Sequence, residues 1–391
     1  MDGAAERTRW ICEEAARLGF DLCGVATASA AEEDFAELRH FPEWLARGYA
    51  GEMNYMRDPR RGDPKLALAG IRSVIVTALN YNSAHPYSTQ RAGRDPGDSN
   101  GPTGWISRYA WGDDYHLVLG ERLDALLAAM RAKFVEPFEA RSYVDTGPLP
   151  ERIAAKYAGL GWLAKNTCLI NQQLGSWLFL GVIPTTLGLE PTVAPGAVPP
   201  RDLCGTCTRC LDACPTEAFP APYVLDASRC ISYLTIELRG AIPEEFRGAM
   251  GDAVFGCDIC QDVCPWNRKA PVARLAAFQP RQRLARVEEA AKEDAGGASL
   301  CEPGLEWLAA LTQEEFSAQF RRSAVKRAKW RGMVRNACVA LGNARIAADS
   351  PAHVRILALI ERLAQSPDEM IAEHARWALA RLGAAAAAPG D

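Results

Sequence analysis

Three stretches of different character divide the chain. A mixed α/β (α+β) domain is expected over residues 1–190, a small cysteine-rich domain over 191–275, and an all-helical domain over 276–391. Three observations predict this. Helical and strand-like patterns alternate through the first half. Eight of the 13 cysteines crowd between Cys204 and Cys264. The pattern Arg335-N-A-C-V-A-L-Gly342 recurs as Arg376-W-A-L-A-R-L-Gly383, 41 positions on. Repeated helices at ~40–47 residues fit HEAT-like α-α stacking.

In chain order, residues 4–18 show helical periodicity with acidic residues early, and SVIVTALNY (73–81) reads as a buried strand. The stretch 85–104 is too rich in Gly, Pro and Ser to be an element. YHLVLGERLDALLAAMRAKF (115–134) is a long amphipathic helix and RSYVD (141–145) a short strand. PLPERIAAKYAGLG reads as a helix closed by glycine, and SWLFLGVI (176–183) as another apolar strand. A Pro-rich linker (189–202) leads into the cysteine segment, and the AAAAAPGD tail reads as frayed.

The bulk figures are those of a globular protein: 391 residues, net charge -4, 48% hydrophobic and 24% charged. They exclude a disordered or collagen-like chain. No apolar run approaches the ~18–20 residues a membrane helix needs, and the N-terminus lacks a basic and then apolar leader. A cytoplasmic protein with no membrane contact is expected. A reducing compartment keeps few structural disulfides, so 13 cysteines call for another explanation.

Cys204, Cys207, Cys210 and Cys214 form C-x2-C-x2-C-x3-C-P, closed by Pro215. This is the ferredoxin-like run in which three thiolates wrap one [4Fe–4S] cluster and the fourth ligates its neighbour. Zinc fits the first two spacings but not a fourth cysteine followed by proline. Cys257, Cys260 and Cys264, closed by Pro265, keep the last three ligands of a second run, whose first position is Val254. Cys230, on an expected helix, replaces the missing ligand. The assignment exchanges the two final cysteines: Cys204, Cys207, Cys210 and Cys264 hold one cluster, and Cys214, Cys230, Cys257 and Cys260 the other. Cys12, Cys23, Cys168, Cys301 and Cys338 show no ligand spacing and read as small apolar core residues. No Gly-rich nucleotide fingerprint appears, so electrons from the clusters need a different terminus.

The chain closely resembles the epoxyqueuosine reductase family. The matching segments are ISRYAWGDDYHLVLGERL (106–123), YVDTGPLPERIAAKYAGLGWLAKNTCLI (143–170), GSWLFLG (175–181), both cysteine runs, CISYLTIELRG (230–240) and KRAKWRGMVRNACVALGN (326–343). The resemblance implies a first domain that binds cobalamin, two [4Fe–4S] clusters feeding its cobalt, and reduction of a modified base in a tRNA anticodon loop. Asp114-Tyr115-His116-Leu117-Val118-Leu119-Gly120 is one residue too long for the D-x-H-x-x-G signature of cobalt ligation. A base-off corrin without a protein histidine on cobalt is therefore expected, with His116 simply starting a helix.

Asp145 is by resemblance the proton donor. That role needs a carboxyl pKa well above ~4, obtainable by burial. The plainer alternative is an Asp capping its own Thr146–Gly147 turn. Arg61, Ser107, Lys165 and Asn166 are expected at the corrin's polar periphery, and Leu169 and Leu180 at its apolar face. The run RRSAVKRAKWRGMVR (321–335) carries seven basic residues and no acid. It reads either as a solvated helix face or as a phosphate-binding stripe in which Lys326, Arg327, Lys329, Arg331 and Arg335 contact tRNA. A monomer served by an external electron donor is expected. Two alternatives stay open: a corrinoid iron–sulfur enzyme like the reductive dehalogenases, and a non-catalytic ferredoxin-type electron-transfer module.

Overall fold

The computed structural model describes residues 3–28, 35–90, 101–194, 200–284, 299–348 and 350–387. The polar stretch 85–104, the Pro-rich linker and the C-terminal tail therefore lie partly outside the described residues.

A three-stranded antiparallel sheet centres the first segment: β1 (Leu22–Thr27), β2 (Ser73–Asn80) and a distal strand (Leu178–Thr185), with β2 in the middle. Val25 faces Ile75, which in turn faces Ile183. All eight residues of β2 are buried, and their alternation serves two cores. Ile75 and Leu79 pack with Ile11 of α1 (Ala4–Arg17) and with Leu119, Leu123 and Leu126 of α2 (Tyr115–Lys133). Val74, Val76 and Ala78 point the other way, onto Ala154 and Ala155 of α3 (Glu151–Tyr157). Helices on both faces explain why the strand is apolar throughout rather than at every second position.

The expected strand 141–145 is present only as single bridges, Ala140 to Thr185 and Tyr143 to Val182. Tyr143 and Val182 exchange both backbone bonds, but the next such pair sets Arg141 against Pro184, which accepts from Arg141 and has no N–H to return. The missing donor interrupts the ladder there, although Ala140 still meets Thr185, and past Tyr143 residues 144–149 leave the sheet as a loop. The helix that follows ends as expected: Gly159, at φ +79°, donates to Lys156 while Leu160 donates to Ala155, a left-handed closure that glycine adopts without strain.

Short strands β3 (Trp105–Ile106), β4 (Trp162–Leu163) and β5 (Leu169–Ile170) precede the distal strand, which is β6; β7 (Ala253–Phe255) pairs parallel with β3. The helix expected around Cys230 is shorter than its pattern: α4 spans Ile231–Ile236, with Cys230 at its N-cap. In the last segment α5 (Lys329–Asn343) and α6 (Pro351–Ala364) both pack against α7 (Glu369–Ala387). The repeated motifs lie in α5 and α7. A Cβ on Gly342 would come within 2.6 Å of the Trp377 ring, so glycine permits the close approach of these two helices. This helical core also takes in Trp105, Ile106, Val254 and Phe255, binding the end of the chain to the first two segments. No described helix is long and apolar enough to cross a membrane.

Candidate active site

None of the 13 cysteines is in a disulfide. Burial first, then the neighbouring Cys264, Cys204 and Cys207, pushes the Cys210 thiol up to about 11. Cys257 is driven up by burial and then by Cys230 and, more weakly, Cys214; Cys260 feels Cys168, burial, Cys257 and Cys230. These influences sort the eight thiols into Cys204, Cys207, Cys210 and Cys264 on one side and Cys214, Cys230, Cys257 and Cys260 on the other. Backbone N–H groups point at the sulfurs: Ala218 donates to Cys214 at 3.3 Å, Ser232 and Tyr233 to Cys230, Ile259 to Cys257 and Trp266 to Cys264. Crowded thiols, four of them met by these amide donors, suit a cationic iron–sulfur core that binds thiolates.

Asp145 stands where the loop leaves β6, at φ +56°. Its side chain is 67% exposed, while protein encloses it at longer range. It does not fold back on its own turn. Tyr115 Oη donates to Asp145 Oδ2 at 2.9 Å, and His116 Nε2 lies 3.7 Å from the same oxygen. The Asp145 amide donates to Glu151 Oε1 at 2.6 Å. His116 starts α2 as expected, its amide bonded to the N-cap Asp114, but its ring also bridges two carboxylates, with Nδ1 2.7 Å from Asp114 Oδ1. The expected upward shift of Asp145 is reversed. Burial raises its pKa, but the facing His116 imidazole, the bond from Tyr115 and the Arg61 charge outweigh this and hold it below the usual carboxylate range. His116, lowered by burial but raised more by Asp114 and Asp145, reaches about 9. Glu151 is pushed well up, by burial and then by Asp145. At neutral pH His116 therefore holds its proton, and burial beside Asp145 biases Glu151 toward its protonated form.

Arg61 lies beside this group, its Nε 3.2 Å from Tyr55 O and its guanidinium 5.1 Å from the Tyr55 ring. Arg327 approaches the same ring at 5.8 Å and pairs with Glu237 at 2.7 Å. Tyr55, Glu237, Arg239 and Arg327 line a cavity of about 580 Å³. Both Tyr55 and Arg327 feel the Asp145 charge, so the acid acts electrostatically on this cavity's wall.

Other expected site residues are engaged inside the protein. Ser107 is 2% exposed and donates to the buried Asp258 at 2.5 Å. Lys165 donates to the carbonyls of Gly205 (2.6 Å) and Cys207 (3.0 Å), and Asn166 to that of Cys260 (3.3 Å). These three brace the cysteine loops rather than offering free polar groups to a corrin's rim. Leu169 and Leu180 belong to the core beneath α3. In the basic run Lys326, Arg327, Lys329 and Arg331 are exposed, and Arg331 pairs with Asp368. Arg335 is a correction to the stripe: it is fully buried and donates to the carbonyls of Leu234, Leu238 and Gly240.

Residues 61–146 match the family model described as "Epoxyqueuosine reductase QueG, DUF1730", and residues 203–267 the "4Fe-4S double cluster binding domain". The epoxyqueuosine reductase of Pseudomonas aeruginosa is 37% identical over 370 residues, covering 94% of this chain and 92% of that protein. That of Gloeobacter violaceus is 43% identical over 341 residues, covering 85% and 95%. The chain belongs to the epoxyqueuosine reductase family. A solved epoxyqueuosine reductase in complex with an epoxyqueuosine-modified tRNA-Tyr stem loop superposes with a TM-score of 0.79 at 31% identity, covering 96% of this chain and 90% of that one. These matches favour neither the dehalogenase-like nor the relay alternative.

Within this family member, reading the sequence overlooked Tyr115, Glu151 and the ring of His116. The only signal was their clustering in the two segments that carry the resemblance.

Proposed function

We propose that this protein reduces epoxyqueuosine to queuosine at the wobble position of a tRNA anticodon loop, removing the epoxide oxygen as water. The observation that carries the reading is Asp145, exposed, bonded to Tyr115 and faced by His116, in a chain of this family that also gathers eight thiols into two sets of four. Electrons from an external donor pass through two [4Fe–4S] clusters, one held by Cys204, Cys207, Cys210 and Cys264, the other by Cys214, Cys230, Cys257 and Cys260. Cobalamin, when bound, supplies a strongly reducing cobalt centre. Asp145, exposed and within reach of the Arg61 charge, suits a large polar-edged group resting against it.

Residues 1–190 serve as the catalytic cobalamin domain, 191–275 as the cluster domain and 276–391 as a HEAT-like domain that meets tRNA. Arg327 lines the Tyr55 cavity, feels the Asp145 charge and neighbours the exposed Lys326 and Lys329, so a phosphate backbone on this stripe would bring its loop toward the acid. The protein acts in the cytoplasm as a monomer.

Anaerobically reconstituted protein with cobalamin and a strong reductant is expected to convert epoxyqueuosine in tRNA, read by nucleoside mass spectrometry. Absence of conversion with both clusters and corrin loaded overturns the reading. Replacing Lys326, Arg327 and Lys329 by Gln together is expected to weaken tRNA binding and to flatten its log–log salt dependence by about 2, since each phosphate contact contributes roughly 0.7–0.9 to the slope. An unchanged slope removes the stripe from tRNA recognition.

A further inference from the structure

Opening the epoxide to an alkene breaks two C–O bonds and consumes two electrons and two protons, with the oxygen leaving as water. The electrons enter through the clusters in the reading above, on which this inference rests. A carboxyl group holds one proton, so Asp145 must be refilled within a turnover. We propose that Asp114 and His116 form a proton-supply line to Asp145, His116 Nε2–H restoring the proton that Asp145 Oδ2 passes to the departing oxygen.

The geometry is specific. Asp114 caps α2 through its bond to the His116 amide, and the same Oδ1 holds His116 Nδ1 at 2.7 Å. An imidazole tethered at Nδ1 presents Nε2 in one direction, and that direction is Asp145 Oδ2, 3.7 Å away. Tyr115 limits swinging. Its ring stacks on His116 (centroids 4.1 Å apart) and on Phe179 (4.4 Å), while its hydroxyl anchors the Asp145 oxygen that His116 faces. His116 keeps 31% of its side chain exposed, enough to recover a proton from solvent between transfers.

The charges around the line store its proton on the imidazole, so transfer to Asp145 is uphill until the departing oxygen draws that proton on. Asp114 and Asp145 face the imidazole from the helix start and from the loop; Arg322, itself near Glu121, faces Asp114; Arg61 and Glu151 face Asp145. The net result raises His116 to about 9 and lowers Asp145. At pH 7 the stored proton is thus on the imidazole, and Asp145 carries it only in passing. His116 acts through Asp145 and is a positioning and supply residue, distinct from the acid itself.

The raised pKa fixes the sign of the pH dependence. His116 is charged below about pH 9, so supply persists through neutrality and fails as pH rises through that value. Turnover of the wild type is expected to fall above about pH 9. In His116→Gln it is expected to be about 10–100-fold lower at pH 7.5, with the limb near pH 9 gone. Asp114→Asn keeps the imidazole but removes an anion that raises it, so the alkaline limb should move to lower pH. Fold and loading are checked by circular dichroism and iron content.

Histidine-labelled protein gives a readout independent of turnover. The His116 ring signal should titrate above pH 8 in the wild type and lower in Asp114→Asn. Titration near pH 6.5, or pH–rate profiles identical among the three proteins, overturns the proposal. A loaded wild type that converts nothing while His116 titrates above pH 8 upholds the supply line and overturns the substrate reading alone.

Discussion

Asp145→Asn is expected to lower conversion of epoxyqueuosine by about 10²–10⁴-fold, the range for losing a positioned general acid, while iron content and thermal stability stay near those of the wild type. The choice of Asn follows from the backbone. Position 145 sits at φ +56°, and among residues with a side chain Asn is one of the few that enters this region readily. Its amide oxygen can still accept from Tyr115 Oη, and the backbone bond from the residue 145 amide to Glu151 is untouched. What disappears is the ability to hold and release a proton. Asp145→Ala would confuse the test, because alanine at this φ adds strain of its own, of order 1–2 kcal/mol. Single-turnover rates with pre-reduced protein separate the chemical step from delivery of electrons. If Asp145→Asn keeps more than a tenth of the wild-type rate under those conditions, the acid lies elsewhere.

The parts of this molecule that local pattern dictates were legible in the chain. β2 is an unbroken apolar run because helices cover both faces, and α2 follows from its Leu spacing and its Asp114 cap. Val254, which stands where a second cysteine run would begin, lies in β7, buried at 0% exposure in the helical core. What could not be read depends on chain segments meeting. His116 looked like a helix-starting residue, and locally it is one. Its partnership with Asp145 exists only because the chain leaves β6 after Tyr143 and carries residue 145 to the start of α2. Lys165 and Asn166 looked like loop residues free for a ligand, but they meet the carbonyls of cysteine loops some 40 and 94 positions on. The raised carboxyl pKa failed for a related reason. Burial does push Asp145 upward, but the opposing donors come from 30 residues earlier in the chain.

Arg335 makes the sharpest contrast between a charge run and the use of each charge. It ends the most basic stretch of the chain, and Lys326 and Lys329 from that stretch do face solvent. Arg335 instead caps the far end of α4, donating to Leu234 O at 2.6 Å, Gly240 O at 2.7 Å and Leu238 O at 2.9 Å. Carbonyls at a helix C-terminus have no partners within the helix and carry partial negative charge, so a buried guanidinium fork suits them. Burial lowers its pKa, to about 10, which leaves it charged at neutral pH. Arg335→Met keeps much of the stem's volume but strands those acceptors. At about 1–3 kcal/mol for each unsatisfied buried group, partly relieved by relaxation, a loss of roughly 3–5 kcal/mol is expected. The damage has a direction. Neighbouring Asn336 ties Thr235 O to Val254 O, and Thr235 Oγ1 holds the Gly256 amide, so α4 and β7 are fastened together directly beside Cys230 and Cys257. Loosening that joint should release the iron held by Cys214, Cys230, Cys257 and Cys260 before the iron of the other set. Chemical denaturation and iron analysis of Arg335→Met test both points. A variant of wild-type stability with weakened tRNA binding would return Arg335 to the phosphate stripe, whereas lowered stability with an unchanged salt slope keeps it in the core.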